Sequence, residues 1–194
     1  MHRYASISAA CAAAFAFAAS PALAFSTFDK WDGASTVQAF GCPNTTTYGE
    51  VITIPGNRTH LNRFAFDWIN LNTGSMVVRG EVYAWDGTKA TGSALYESRP
   101  RTIAFNDSAF HRETFKTGVL PVNPGAQYVI FASIDKDYEQ CQNNYILAWG
   151  FMSSDIYRDG FFVYQNNSGD ENNWTTTTWN GLGGDLAFRA ATSP

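Results

Sequence analysis

Several aromatic residues of this sequence lie beside amides and acids, and this combination of residue types is suited to sugar binding. A flat ring stacks on the apolar C–H face of a sugar, while Asn, Asp and Arg side chains bind its hydroxyl groups. The predicted ligand-binding residues are Tyr83, Trp85, Asp86, Tyr157, Asn173, Trp174 and Trp179. An ordinary β-sheet core has the same composition, so this prediction requires that the rings face solvent.

Three alternating acids, Asp135, Asp137 and Glu139, form a candidate metal site. Carboxylate oxygens are the ligands that Ca²⁺ prefers, and a structural calcium ion is the one cofactor that the sequence suggests. Their spacing departs from the D-x-[DN]-x-[DN]-G pattern of the EF-hand calcium loop. Acids at alternate positions are equally typical of the solvated face of a strand.

Motifs for catalysis are missing from the sequence. Of its three histidines, His60 and His111 lie beyond the N-terminal leader, in no metal-binding spacing, and no nucleophile-elbow or phosphate-loop pattern occurs. We therefore predict no catalytic residues and no enzymatic activity. A hydrolase is the alternative, since triads and carboxylate pairs are assembled from distant positions. It predicts a deep polar cleft with two carboxylates, or one of these histidines beside a nucleophile.

The N-terminal residues are typical of an export signal. A basic start precedes a small-residue apolar run over 9–19, and Ala22-Leu23-Ala24 supplies a small–x–small cleavage pattern. We predict a signal peptide over 1–24 and a single β-sandwich domain over 25–194, secreted or periplasmic. Cleavage would leave two cysteines, Cys42 and Cys141, which we expect to form one disulfide in an oxidising compartment.

The charge pattern limits the range of partners. A net charge of −4 without any Lys/Arg-rich block disfavours nucleic acids and anionic membranes. No stretch approaches the roughly 20 apolar residues that a membrane-spanning helix needs. The predicted partner is an extracellular carbohydrate or a cell-surface component.

Short segments that alternate apolar and polar residues, separated by turn residues, predict an all-β chain. Phe64, Phe66 and Trp68 fall on one face of the segment 61–71, and Tyr83 and Trp85 share a face of 77–85. The other predicted strands are 36–40, 48–54, 95–98, 110–117, 127–134, 145–151, 161–164, 174–179 and 186–191. Strands this short and numerous predict a two-sheet antiparallel β-sandwich, jelly-roll-like, with one disulfide.

Residues 80–98 read GEVYAWDGTKATGSALYES. This segment resembles a Y-A-W-D-G-x-x-A-T-G-x-A-L-Y-x-S motif in a group of uncharacterised secreted proteobacterial β-sandwich proteins. LNRFAF at 61–66, PGAQYVIF at 124–131 and GDLAFR at 184–189 fit the same group. The resemblance implies the fold and export, and it implies no activity. Relatives often carry a C-terminal Pro-Glu-Pro sorting signal, and its absence here predicts release rather than surface sorting.

Two function classes follow for a non-catalytic protein. The leading hypothesis is a secreted β-sandwich that binds glycans or cell-surface material through exposed aromatic rings. The alternative is a structural envelope or matrix protein that acts through protein–protein contacts, which predicts a contiguous exposed apolar patch.

Overall fold

The structure is a computed structural model that describes residues 24–27, 31–43, 45–105, 107–142 and 144–194, with no side chains described for 24–27. The predicted signal peptide lies outside the described residues except for Ala24, which begins the first strand. Its removal therefore stays a prediction.

Strands account for nearly all of the regular structure. Their bounds are β1 Ala24–Thr27, β2 Thr36–Gly41, β3 Thr47–Thr53, β4 His60–Asn70, β5 Met76–Trp85, β6 Ala90–Glu97, β7 Arg101–Ile103, β8 His111–Pro121, β9 Gln127–Ser133, β10 Ile146–Met152, β11 Phe161–Gln165, β12 Asp185–Leu186 and β13 Phe188–Ser193. A 3₁₀ helix spans Asp135–Gln140, and one short helix, α1, spans Asn173–Thr176.

Two antiparallel sheets pack together in the described part of the chain. Sheet A has seven strands in the order β1-β13-β4-β10-β12, with β8 beside β4 and β2 beside β10. Sheet B has six strands in the order β11-β3-β9-β5-β6, with β7 beside β5. All ladders between these strands are antiparallel. The predicted all-β, two-sheet sandwich is confirmed.

The main core fills the space between the two sheets. Phe64, Phe66 and Trp68 of β4 are fully buried there, as their alternation predicts. The ring of Trp149 in β10 lies 4.8 Å from that of Phe66 and 5.0 Å from that of Trp68, between centroids. Removing such apolar surface from water contributes roughly 25 cal/mol per Å², which makes this aromatic layer a main source of stability.

Sheet B is covered on its outer face as well. There a second cluster, the outer core, consists of Val51, Tyr83, Trp85, Ala90, Val129, Phe131, Val163, Trp174 and Trp179. The last two residues belong to the segment after β11, which folds back over the sheet. The predicted strand over 174–179 is wrong, because Asn173–Thr176 forms a helical turn that carries Trp174 into this cluster.

The disulfide between Cys42 and Cys141 is confirmed, with the two Cα atoms 6.2 Å apart. It joins the end of β2 to the segment after the 3₁₀ helix, and so closes a loop of 99 residues. Within the described residues, none of the helices has the length and apolarity to cross a membrane.

Candidate functional site

The aromatic rings that the sequence predicts to face solvent are buried. Tyr83 and Trp85 are each 8% exposed, Trp174 is 2% exposed and Trp179 is 6% exposed. The prediction of exposed rings is wrong at these four positions because residues 165–184 cover the outer face of sheet B. Strand alternation placed Tyr83 and Trp85 on the same face correctly, but that face is a core rather than a binding surface.

The polar edges of two of these rings also point inward. The Trp174 indole N–H donates to Asp135 Oδ2 at 2.7 Å, and the Trp179 indole N–H donates to the main-chain oxygen of Trp174 at 2.8 Å. Buried indole groups need such partners, since an unpaired polar group in a core is costly. The first contact anchors the covering segment to the 3₁₀ helix at Asp135–Gln140, and the second joins two residues within that segment.

The other predicted ligand-binding residues do not form a common surface with these rings. Asp86 is exposed, and it accepts hydrogen bonds from the amides of Thr88 and Lys89 in its own turn. Asn173 begins α1. Tyr157 is half-buried on the main-core side, where its ring lies 5.2 Å from that of Phe188.

The three acids predicted to bind calcium have other roles. Asp135 is buried and accepts the Trp174 indole, and Asp137 pairs with Arg79, whose Nε lies 2.7 Å from Asp137 Oδ2. Glu139 is exposed. The described residues contain no group of three or more His, Cys, Asp or Glu side chains that could hold a metal ion. The structure therefore does not support a calcium site formed by Asp135, Asp137 and Glu139.

A charged cluster lies beside the outer core. Glu81 of β5 is fully buried, and Lys136 Nζ lies 3.4 Å from its Oε1 and 2.7 Å from Glu97 Oε2. Burial raises the pKa of Glu81 to about 8, against the opposing effect of Lys136. Burial also disfavours the ionised form of Glu97, but hydrogen bonds from Lys136 and Arg79 outweigh it and lower the Glu97 pKa. Glu81 and Glu97 thus form a pair of carboxylates with divergent pKa values. Glu81, however, lies beneath Lys136 and has no surface exposed to solvent.

Neither histidine lies beside a serine or cysteine nucleophile among the described contacts. His60 Nδ1 contacts the Thr59 hydroxyl and the main-chain oxygen of Pro194, both at 2.9 Å. His111 Nε2 lies 2.6 Å from Asp107 Oδ1, and its ring stacks on Phe105 with centroids 3.9 Å apart. Both rings are thus engaged in local contacts at strand ends.

A set of cations that the sequence did not reveal lies on the outer face of sheet A. Strand pairing sets Lys116 of β8 opposite Arg63 of β4, and Arg112 opposite Asp67. Arg189 of β13 pairs with Ala65 of β4, one row further along. Because alternate residues of a strand share a face, these side chains lie on one surface. We call Arg63, Arg112, Lys116 and Arg189 the basic face.

Three of these cations line a shallow groove of about 220 Å³. Arg63, Arg112 and Arg189 form its sides, and the small residues Ala65, Thr114 and Ala191 contribute to its floor. Arg112 pairs with Asp67 at 3.0 Å. Arg189 and Lys116 are exposed and form no ion pair with any residue that the structure describes. Asp67 therefore offsets the charge of Arg112, whereas no carboxylate that the structure describes offsets that of Arg189.

An aromatic pair lies at one end of the basic face. Trp31 and Phe110 are both half-buried and meet edge to face, with ring centroids 4.7 Å apart. Trp31 lies over Gly150, where an added Cβ would come within 2.7 Å of its ring. The main chains of Gly150 and Asp67 both form hydrogen bonds with that of Ala187. Phe110 is two residues before Arg112 in the sequence. Trp31 thus lies on the same side of sheet A as Asp67, which pairs with Arg112.

The pairing of three strands that are distant in the sequence creates this surface. Single cations at positions 63, 112, 116 and 189 give no sequence signal, because no two arginines are neighbours. The alternation within each strand could have assigned each cation to an outward face. The order β13-β4-β8, which brings them together, was not available from one sequence.

No protein-family model and no curated protein matches the chain. Among solved structures, the chain is similar to the cysteine protease and lectin-like domains of Cwp84, a surface layer associated protein of Clostridium difficile. The identity is 9% and the TM-score is 0.48, over 77% of this chain and 32% of that one. The chain thus spans about a third of the length of the structure that it matches.

Proposed function

We propose that this β-sandwich binds acidic glycans, without catalysis, on the basic face of sheet A. The observation that carries the proposal is the convergence of Arg63, Arg112 and Arg189 on one shallow groove. A planar guanidinium group donates two parallel hydrogen bonds to a carboxylate or sulfate, so arginines suit anionic sugars better than neutral ones.

The aromatic pair Trp31 and Phe110, which lies outside the groove lining, supports a sugar rather than a bare anion as the ligand. Trp31 is half-buried and lies over Gly150, whose main chain is linked through Ala187 to Asp67, the partner of Arg112. A ring in that place would stack on a sugar while the arginines bind its acidic groups. The ligand proposed here is a glycan, as the sequence predicts. The residues proposed to bind it differ from the buried tryptophans that the sequence suggested.

The open shape of the groove suits a polymer that crosses the sheet. Its floor consists mainly of small side chains, and Arg112 and Arg189 are exposed at its sides. The overall charge of −4 makes the whole molecule repel polyanions at long range. Binding would therefore depend on the local fit of the groove, which favours a flexible acidic glycan over a stiff, densely charged nucleic acid.

A glycan panel tests the proposal. We expect the protein to bind polygalacturonate or a sulfated polysaccharide, and to bind dextran and cellulose at least about tenfold more weakly, a difference of 1.4 kcal/mol. Arg189→Ala should weaken acidic-glycan binding several-fold. Arg99→Ala, which removes an exposed arginine from the β6–β7 turn of the other sheet, is the matched control and should bind like the original protein.

Two results would count against this function. Equal binding of neutral and acidic polysaccharides would show that the arginines do not select the ligand. Binding of duplex DNA as tight as that of any glycan would indicate a general polyanion surface instead.

A further inference from the structure

Asp67 lies beside the groove of the basic face without lining it. It alternates along β4 with Phe66 and Trp68 of the main core, so its side chain is on the outer face of sheet A. Strand pairing sets it directly opposite Arg112 of β8. Asp67 is buried, whereas Arg112 is exposed and lines the groove. A buried carboxylate is therefore fixed beside a guanidinium group that a ligand can reach.

The carboxylate binds one edge of that guanidinium group. Arg112 Nε lies 3.3 Å from Asp67 Oδ2, and Arg112 Nη2 lies 3.0 Å from the same oxygen. Nε and Nη2 belong to one edge of the planar group, so the pair is side-on. The other edge, between Nη1 and Nη2, still has donors, and Nη1 has no partner among the residues that the structure describes. Asp67 thus leaves Arg112 one complete fork of two N–H groups.

Asp67 changes what Arg112 offers to a ligand in two ways. It offsets the positive charge, so that the fork presents hydrogen-bond donors with little net charge. It also fixes the side chain, which removes part of the entropy cost of ordering an exposed arginine on binding. Arg189, on the other side of β4, forms no ion pair with a described residue and keeps its full charge. The groove therefore combines a fixed, neutralised fork with a free cation.

This combination distinguishes between two classes of acidic glycan. A planar carboxylate accepts two parallel hydrogen bonds from a guanidinium fork, whether or not the fork has a net charge. A densely sulfated polymer gains most from cations that no carboxylate offsets, and a fixed negative charge beside the groove repels it. A glycan with one carboxylate on each sugar therefore fits this groove better than one with several sulfates on each sugar.

We propose that Asp67 is a positioning residue that makes the basic face selective for uronic acid glycans over sulfated ones. This inference rests on the function proposed above and specifies its ligand. Asp67 holds Arg112 side-on, and the free fork of Arg112 binds the carboxylate of one uronic acid. Arg189 binds a carboxylate further along the chain of sugars. Asp67 acts through Arg112 and does not contact the ligand.

The affinities of Asp67→Asn for polygalacturonate and for dextran sulfate test this selectivity. Asparagine has the shape of aspartate and can still accept a hydrogen bond from Arg112, so we expect the variant to fold. At low ionic strength the original protein should bind polygalacturonate more tightly than dextran sulfate. In Asp67→Asn the ratio of the two affinities should shift toward dextran sulfate by about fivefold, because one repelling charge is gone and the fork is no longer fixed.

Glu113→Gln is the matched control for the change of charge. Glu113 is the neighbour of Arg112 in β8, but its side chain pairs with Arg101 of β7 instead of reaching the groove. Its substitution removes the same negative charge and should leave the affinity ratio unchanged. Arg112→Lys tests the fork itself, because lysine keeps the charge and lacks the two parallel donors. It should weaken polygalacturonate binding about as much as Arg112→Ala does.

The Nε–H signal of Arg112 in nitrogen-15 NMR spectra tests the positioning without any ligand. In the original protein this proton should give a resolved signal that exchanges slowly with water, because Asp67 accepts it. The Nε–H of Arg189 should exchange faster. In Asp67→Asn the Arg112 signal should move toward that of Arg189.

Three results would overturn the positioning role of Asp67. They are an Arg112 signal that is the same in the original protein and in Asp67→Asn, an affinity ratio that shifts equally in Asp67→Asn and Glu113→Gln or in neither, and a preference of the original protein for dextran sulfate. Failure of the original protein to bind either polymer, with the Arg112 signal as expected, would instead refute the proposed function while leaving the side-on pair established.

Discussion

At the residue scale, the indole N–H of Trp174 connects the covering segment to β3 and to the 3₁₀ helix, because it lies 3.2 Å from Thr47 Oγ1 and 2.7 Å from Asp135 Oδ2. Its indole N–H donates to Asp135 Oδ2, which also accepts Thr47 Oγ1 at 2.9 Å and Asn167 Nδ2 at 2.5 Å. We expect Trp174→Phe to lower the free energy of unfolding by about 1–3 kcal/mol more than loss of ring volume alone, because Asp135 loses a buried donor. Urea denaturation measures this.

Trp85→Phe is the control for that substitution. The Trp85 indole N–H is buried in the same cluster but has no acceptor among the described residues. The two variants lose the same ring volume, and they differ in the hydrogen bond. Equal destabilisation of both would contradict the anchoring role of Trp174.

Glu81 should make stability depend on pH. Burial raises its pKa from the ordinary value of 4.5 to about 8, so between these values the folded protein keeps a proton that the unfolded chain releases. Stability from this group is full below pH 4.5 and is lost as the pH rises toward 8, by up to about 1.4 kcal/mol per pH unit. Glu81→Gln removes the titration.

Urea denaturation of both proteins across this pH range isolates the effect of Glu81. We expect the free energy of unfolding to fall more steeply with pH in the original protein than in Glu81→Gln. Other titrating groups affect both proteins alike. Parallel pH profiles would show that Glu81 does not keep its proton.

For individual residues, the sequence predicted which face of a strand each side chain occupies, but it did not predict what covers that face. Alternation correctly put Phe64, Phe66 and Trp68 in the main core. It also grouped Tyr83 with Trp85, but it could not show that a later segment buries them. That burial depends on contacts between residues about 90 positions apart, for which a local pattern carries no information.

At the element scale, β5 and β8 meet across the sandwich at Gly80. A Cβ on Gly80 would overlap the ring of Phe115, which is fully buried. We expect Gly80→Ala to destabilise the protein by about 1–3 kcal/mol, since an overpacked core must shift a ring or a strand. The change in Tm or in the urea midpoint measures this cost.

Gly56→Ala is the matched control for the inter-sheet contact. Gly56 lies in the turn between β3 and β4, where an added Cβ meets nothing within 4 Å. The substitution should be neutral or slightly stabilising, because alanine restricts the unfolded chain. A cost at Gly56 similar to that at Gly80 would contradict close packing as the cause.

The sequence predicted most elements but not their neighbours. Predicted strands at 61–71 and 77–85 correspond to β4 and β5 within one residue at each end. The segment 174–179, predicted as a strand, instead contributes to α1 and the loop after it. The basic face depends on the order β13-β4-β8, which the composition of single strands does not determine.

At the scale of the whole molecule, the disulfide should contribute substantially to stability. It closes a loop of 99 residues, which restricts the unfolded chain and is worth about 2–4 kcal/mol. We expect the double variant Cys42→Ser/Cys141→Ser to unfold at a lower Tm. A reducing agent should lower the Tm of the original protein and leave that of the variant unchanged, and a Tm insensitive to reduction would contradict this role.

The two outer faces of the sandwich have different environments. The outer face of sheet B is buried under residues 165–184, whereas Arg112, Lys116 and Arg189 remain exposed on sheet A. A large ligand can therefore approach sheet A without displacing any described segment from it. This asymmetry supports the proposal that the basic face is the binding surface, because the aromatic rings of sheet B are buried while these cations are exposed.

Chemical-shift mapping by NMR with an oligogalacturonate tests the location of binding most directly. We expect titration to shift the backbone amides of β4, β8 and β13 around Arg63, Arg112 and Arg189, together with the Trp31 indole. Shifts confined to the outer core around Trp85 and Trp174, or no shifts at millimolar ligand, would contradict it.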